Sequence, residues 1–208
     1  MPSEFAELLA ALSRALRALG LRWFLFGAQA AIVHGAERLT NDVDVTVDAG
    51  DLSSKALVAA LEGAGFHLRV RNLNDFVRRT RVIPLRHRGS GIDLDLVLAG
   101  PGPEQLFLER ARRKRIEGVS VPVVSADDLV VMKILAGRPK DLADVVEVLA
   151  AQRSRFPTAR ARRTFRSLEA ALDQSDLLPA FERALAEARR AAGPSALRRG
   201  RDPRPRSS

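Results

Sequence analysis

The stretch "RLTNDVDVTVD", Arg38 to Asp48, constrains the fold more than any other part of the chain. Val43, Val45 and Val47 alternate with Asp42, Asp44 and Thr46, the period of a strand with one apolar face. Aspartate is depleted in strands, and like charges on one face repel. Residues i and i+2 of a strand point the same way, about 6.5–7 Å apart at Cα, so Asp42 and Asp44 share a side. The arrangement is costly unless a cation neutralises it. Mg2+ is such a cation, binding one or two carboxylates together with substrate phosphates. A second acidic strand follows in "GIDLDLVLAG", where Ile92, Leu94, Leu96 and Leu98 leave Asp93 and Asp95 on the opposite face. If the two strands are neighbours, Asp95 or Asp93 completes a three-carboxylate site. For an isolated Asp-x-Asp, ordinary solvated strand acids are the simpler reading.

The remaining pattern alternates helices and strands. "SEFAELLAALSRALRALG" predicts an amphipathic helix with Ser3 as N-cap and Gly20 as its stop. "LRWFLF" predicts a strand ending at Gly27, and "AQAAIVHG" a short helix whose N-terminal amides form an anion cradle. A helix is expected from Asp51 to Leu61. "RVIPLRHR" and the Asp93 strand pair as a hairpin across "GSG". "GPGPEQLFLERARRKR" reads as a loop then a helix, and "IEGVSVPVV" as a strand. "SADDLVVMKILAG" opens with Ser125 and Asp128 in capping-box spacing and stops at Gly137. Pro139 marks the break before "KDLADVVEVLAAQ", and helices are expected at roughly 157–173 and 176–191.

Apolar residues make up 46% of the 208 and charged residues 28%, a globular profile. Without cysteine, disulfides and thiolate metal sites are excluded. No apolar run reaches the roughly 18 residues of a membrane span, and "MPSEFAELLA" lacks a signal-peptide pattern, so a cytoplasmic protein is expected. The net charge of +9 is uneven. Residues 1–152 carry 20 Lys and Arg against 19 Asp and Glu, whereas residues 153–208 carry 14 against 6. The expected organisation is residues 1–152 as a catalytic domain, 153–192 as a helical extension and 193–208 as a disordered basic tail. Such a tail suits a phosphate-rich partner such as RNA. Arg-rich, Lys-poor usage also follows from GC-rich coding.

"FGAQAAIVHGAERLTNDVDVTVD" resembles the DNA polymerase β-like nucleotidyltransferase superfamily, with its glycine turn, short helix and Asp-x-Asp strand. The longer pattern is similar to AbiEii/AbiGii-type toxin nucleotidyltransferases. So is "VVMKILAGRPKDLADVVEVL", with Lys133 on one helix and Lys140, Asp141 and Asp144 on the next. The resemblance spans about residues 20–150. It implies an α/β (α+β) nucleotidyltransferase fold: a small mixed sheet flanked by helices, then a helical C-terminal region.

By this resemblance Asp42 and Asp44 hold two Mg2+ ions and Asp95 is the third acid and general base. Asp93 is then a surface acid. An acceptor hydroxyl attacks the α-phosphorus of an NTP and pyrophosphate leaves. Lys133 and Asp141 belong to the active-site region, as does Asp144. Gly27, Ala28, Gln29, Arg38, Thr40 and Lys133 form the expected nucleotide site. Ala28 stands where the superfamily commonly has a phosphate-binding serine, which leaves that donor unassigned, with Gln29, Arg38 and Lys133 as the candidates. Arg38 and Thr40 position phosphate or cap the loop, and His34 reads as a loop anchor. Lys140 carries less weight. The implied acceptor is RNA, at a tRNA 3′ end, with the protein a toxin or defence component and an antitoxin as partner. Alternatives are a small-molecule, antibiotic-type nucleotidyltransferase and a degenerate nucleotide-binding or antitoxin protein.

Overall fold

The computed structural model describes residues 2–191; the basic tail expected at 193–208 lies outside them. Ser3 caps α1 (Glu4–Ala18) by accepting the Ala6 N–H at 3.1 Å, and Leu8, Leu9, Leu12 and Leu16 form its buried stripe. Next come β1 (Arg22–Phe26), α2 (Gly27–Val33), β2 (Val43–Asp48), α3 (Ser54–Gly63), β3 (Phe66–Leu68) and α4 (Leu73–Thr80). β4 (Val82–His87) and β5 (Asp93–Leu98) form the expected hairpin, followed by α5 (Pro103–Arg110), β6 (Arg112–Ile116) and β7 (Val119–Val123). Four further helices follow, α6 (Ala126–Ala136), α7 (Pro139–Gln152), α8 (Thr158–Leu172) and α9 (Leu177–Ala191).

The strands form one mixed sheet in the order β3-β4-β5-β2-β1-β7-β6. β2 lies near its centre, antiparallel to β1 and parallel to β5. Val43, Val45 and Val47 are fully buried, as are Leu94 and Leu96 of β5, so the apolar face read from the sequence is present; Thr46 on the other face is buried as well, and Asp42 stands just before β2 rather than in it. The fold is the α/β class expected, a mixed sheet flanked by helices. α9 packs on α7 and α8 on α6, with the Phe165 and Phe181 rings 5.1 Å apart in the seam.

Two segments depart from expectation. Residues 66–80, given no element by pattern, form β3 and α4; three strand residues are too few for a period to show. The run "RRKR", expected as the end of a helix, forms β6 together with Ile116 instead. Ala111 leaves α5 with φ −55 and ψ 142, and Glu117 and Gly118 turn the chain with φ of 45 and 83. Two positive φ values make the hairpin turn that matches strand twist, and pairing with β7 overrides the helix propensity of arginine.

Candidate active site

β1 ends at Phe26, and the chain reverses at Gly27 with φ +66 into α2. A Cβ at Gly27 would stand 2.0 Å from Asp44 Oδ2, so only glycine lets the Asp44 carboxylate lie against this bend. Asp44 faces Phe26 across β1 and Asp95 across β5. Cross-strand partners share a sheet face, which puts the carboxylates of Asp44 and Asp95 on one side.

The electrostatics follow from that crowding. Burial, then the charges of Asp95 and Asp42, push the Asp44 carboxyl up to about 6. Lys133 and Arg138 oppose that rise. Asp95 is also raised, chiefly by burial, with Arg69 opposing and Asp42 and Asp93 adding. The Arg86 guanidinium beside Asp93 holds its carboxyl below the usual range. Arg69 joins the two β5 acids: Nη1 donates to Asp93 Oδ2 at 3.0 Å and Nη2 donates to Asp95 Oδ1. Its Nε donates to the Leu85 carbonyl at 3.0 Å, which fixes the fork. Among the described residues, the carboxylates of Asp42 and Asp44 have no ion-pair partner.

A second cluster lies beside the first. Lys133 is buried and donates through Nζ to Asp141 Oδ1 at 3.1 Å and to Asp144 Oδ2 at 2.5 Å. Arg38 Nη1 donates to the same Asp144 oxygen at 2.6 Å, and Arg138 Nε to Asp141 Oδ2 at 2.5 Å. Asp141 is pulled two ways, burial raising its pKa and the bonds from Arg138 and Lys133 giving a net lowering. The structure thus gathers Arg38, Lys133, Asp141 and Asp144, from a loop and two helices, into one network. Three cations there face two carboxylates.

The other predicted residues hold the framework. Gln29 Nε2 donates to the Thr40 carbonyl at 3.4 Å, and Thr40 Oγ1 accepts the Asp42 N–H at 3.3 Å, so both shape the loop that enters β2. Ala28 is half-buried beside Gly27 and brings no hydroxyl. His34 Nε2 bonds the Val124 carbonyl at 2.8 Å, and burial lowers its pKa. Lys140 is exposed and stands outside the network. Sequence reading missed Arg69 and Arg138. Arg138 had a detectable signal, lying three residues before Asp141 at a helix start. Arg69 had none, because it follows a strand too short to recognise.

Among the described residues no three His, Asp or Glu side chains are gathered into a ready metal site. Asp42, Asp44 and Asp95 nevertheless offer oxygen donors alone, in a region where their charges oppose one another. Such a set fits a hard divalent cation.

A family model described as "Nucleotidyltransferase of unknown function (DUF6036)" matches residues 4–174. The chain belongs to this nucleotidyltransferase family. The DUF6036 chain is therefore an enzyme of the class its sequence suggested, and its substrates include an NTP. Its fold is similar to an antigenic nucleotidyltransferase-like protein from Paracoccidioides brasiliensis, with 18% identity, a TM-score of 0.52 and coverage of 86% of this chain and 91% of that one. It is similar also to the antibiotic-resistance factor ANT(2'')-Ia, with 17% identity, a TM-score of 0.53 and coverage of 80% and 93%. A lincosamide antibiotic adenylyltransferase, LnuA, aligns with 16% identity and a TM-score of 0.47 over 68% and 94%. No curated protein matches the chain. No described helix of this DUF6036 member is long and apolar enough to cross a membrane.

Proposed function

We propose that the protein transfers an NMP from an NTP to a hydroxyl of RNA, at a tRNA 3′ end, as a toxin or defence component of the AbiEii-like kind. The observation that carries the chemistry is the Asp44–Asp95 register beside the Gly27 bend, next to an Asp42 without an ion-pair partner. Asp42, Asp44 and Asp95 are the residues that would hold divalent cations. When bound, the cations would neutralise the triphosphate and stabilise charge on the attacking and leaving oxygens.

This chain's own groups do the rest. Gly27 clears space for phosphate against Asp44. Arg38 and the largely exposed Arg138, bonded to Asp144 and Asp141, leave the Lys133 network with one excess positive charge for the triphosphate, a role left open by Ala28. Lys133 holds Asp141 and Asp144, which in turn aim the two arginines. Asp95 takes the proton of the acceptor hydroxyl at Oδ2, since Arg69 occupies Oδ1. The acceptor oxygen bonds to the α-phosphorus, the bond to the β-phosphate bridging oxygen breaks, and pyrophosphate leaves.

The reading is tested by incubating the protein with Mg2+, each labelled NTP, total tRNA and a panel of aminoglycosides and lincosamides. Label in RNA 3′ ends that is lost in D44N is expected. Label appearing only on a small molecule refutes the RNA acceptor and favours the antibiotic-type alternative.

A further inference from the structure

We infer that the edge strand β6 is the surface on which the phosphate backbone of a nucleic acid docks; the inference rests on the RNA-acceptor reading above. Arg112, Arg113, Lys114 and Arg115 are four consecutive exposed cations on the outermost strand of the sheet. Among the described residues none of the four has a carboxylate partner, whereas Arg110 and Arg160 close by are paired to Asp128 and Asp127. The charge of β6 is therefore unspent. Successive residues on one strand face recur at about 6.5–7 Å, so β6 presents two regular rows of positive charge, a spacing suited to consecutive phosphates of one strand.

The placement ties this surface to the chemistry. Asp44 pairs with Phe26, the neighbouring Leu25 with Val123, and Val123 with Arg112. Arg112 thus lies three strand spacings across the sheet from Asp44, on the order of 14 Å, at the end of the sheet where Gly27 turns. Arg113 also opens onto a cleft of about 310 Å³ whose wall carries Arg17 and Arg22. A charged edge can serve only to prevent strand-to-strand aggregation. Four unpaired cations in a row, joined by Arg17 in the cleft, fit a polyanion better; the Arg22 charge there is taken by Asp48.

The experiment measures binding of the full chain to total tRNA, without NTP, at several salt concentrations. R112Q/R113Q/K114Q/R115Q is compared with R71Q/R78Q/R79Q/R88Q, which removes equal charge near the opposite edge. R112Q/K114Q is included because it keeps the bonds from Arg113 to Ser120. The β6 quadruple variant is expected to lose at least about tenfold in affinity and to flatten the log–log salt slope by about 3, with the opposite-edge variant near wild type. Equal losses in both variants, or a β6 variant that merely self-associates at unchanged RNA affinity, would each overturn the inference. Transfer of label to RNA that is untouched by the β6 substitutions overturns the surface and leaves the acceptor reading intact. RNA affinity that depends on β6 without label transfer does the reverse.

Discussion

Asp44 on β2 and Asp95 on β5 are direct partners across a parallel strand pair, and a Cβ on Gly27 would collide with the first of them. This relationship makes the site expensive for the protein alone. Asp44 titrates at about 6 against an ordinary 3.8, because burial and the neighbouring acids disfavour its charge. Between about pH 4 and 6 the folded state holds more protons than the unfolded state, so stability falls as pH rises through that window. Without divalent cation, D44N is expected to melt higher than wild type above pH 6, by about 2–4 °C per kcal/mol relieved. Below pH 4 the two should converge. Thermal melts across pH check this, and a pH-independent difference would contradict it.

Gly27→Ala tests the close approach. The new Cβ would sit 2.0 Å from Asp44 Oδ2 on a backbone with φ +66, so the carboxylate or the bend must shift. A misplacement near 1 Å is enough to cost about 100-fold in rate. The conformational strain adds roughly 1–2 kcal/mol of destabilisation. Transfer kinetics together with a denaturant titration separate the two effects. Activity near wild type would mean that phosphate does not pass this bend.

The two acids of β5 should behave differently. D95N removes the proposed base and should lower kcat by about 100- to 10,000-fold. D93N removes one anchor of Arg69 and should cost far less. Arg69 opposes the rise in the Asp95 pKa, so R69Q should move the acid limb of the pH–rate profile to higher pH. An R69Q profile that only scales down, with its limbs in place, would show that Arg69 has no such hold on Asp95.

Lys133 is the buried centre of a five-residue network. Removing its ammonium leaves Asp141 and Asp144 buried with only Arg138 and Arg38. K133M should destabilise the fold by about 3 kcal/mol, read from urea unfolding, and should raise KM for NTP as Arg38 and Arg138 lose their supports. Unchanged stability would place the lysine outside the framework role.

Much of this was legible in the linear pattern, because the signals are local. The valine–aspartate alternation of residues 42–47 sets a strand face by period alone; Ser3 and Ser125 mark helix starts through bonds made within a turn, and Pro139 through its fixed φ at the first helical position. Arg69 was not legible, since its ion pairs join residues whose separation depends on how strands stack, whereas Arg138, three residues before Asp141, was. β6 was misread because arginine favours a helix until a partner strand is available to pair with it.

By itself the sequence determined the alternating strands, most helix limits, the nucleotidyltransferase likeness and the presence of acids in or beside two strands. Tertiary structure alone decided that β2 lies parallel to β5 with Asp44 opposite Asp95, and that Arg69 bridges Asp93 to Asp95. Period 2 tells which face a side chain takes, but register arises from how two distant strands are packed, and no local pattern carries it.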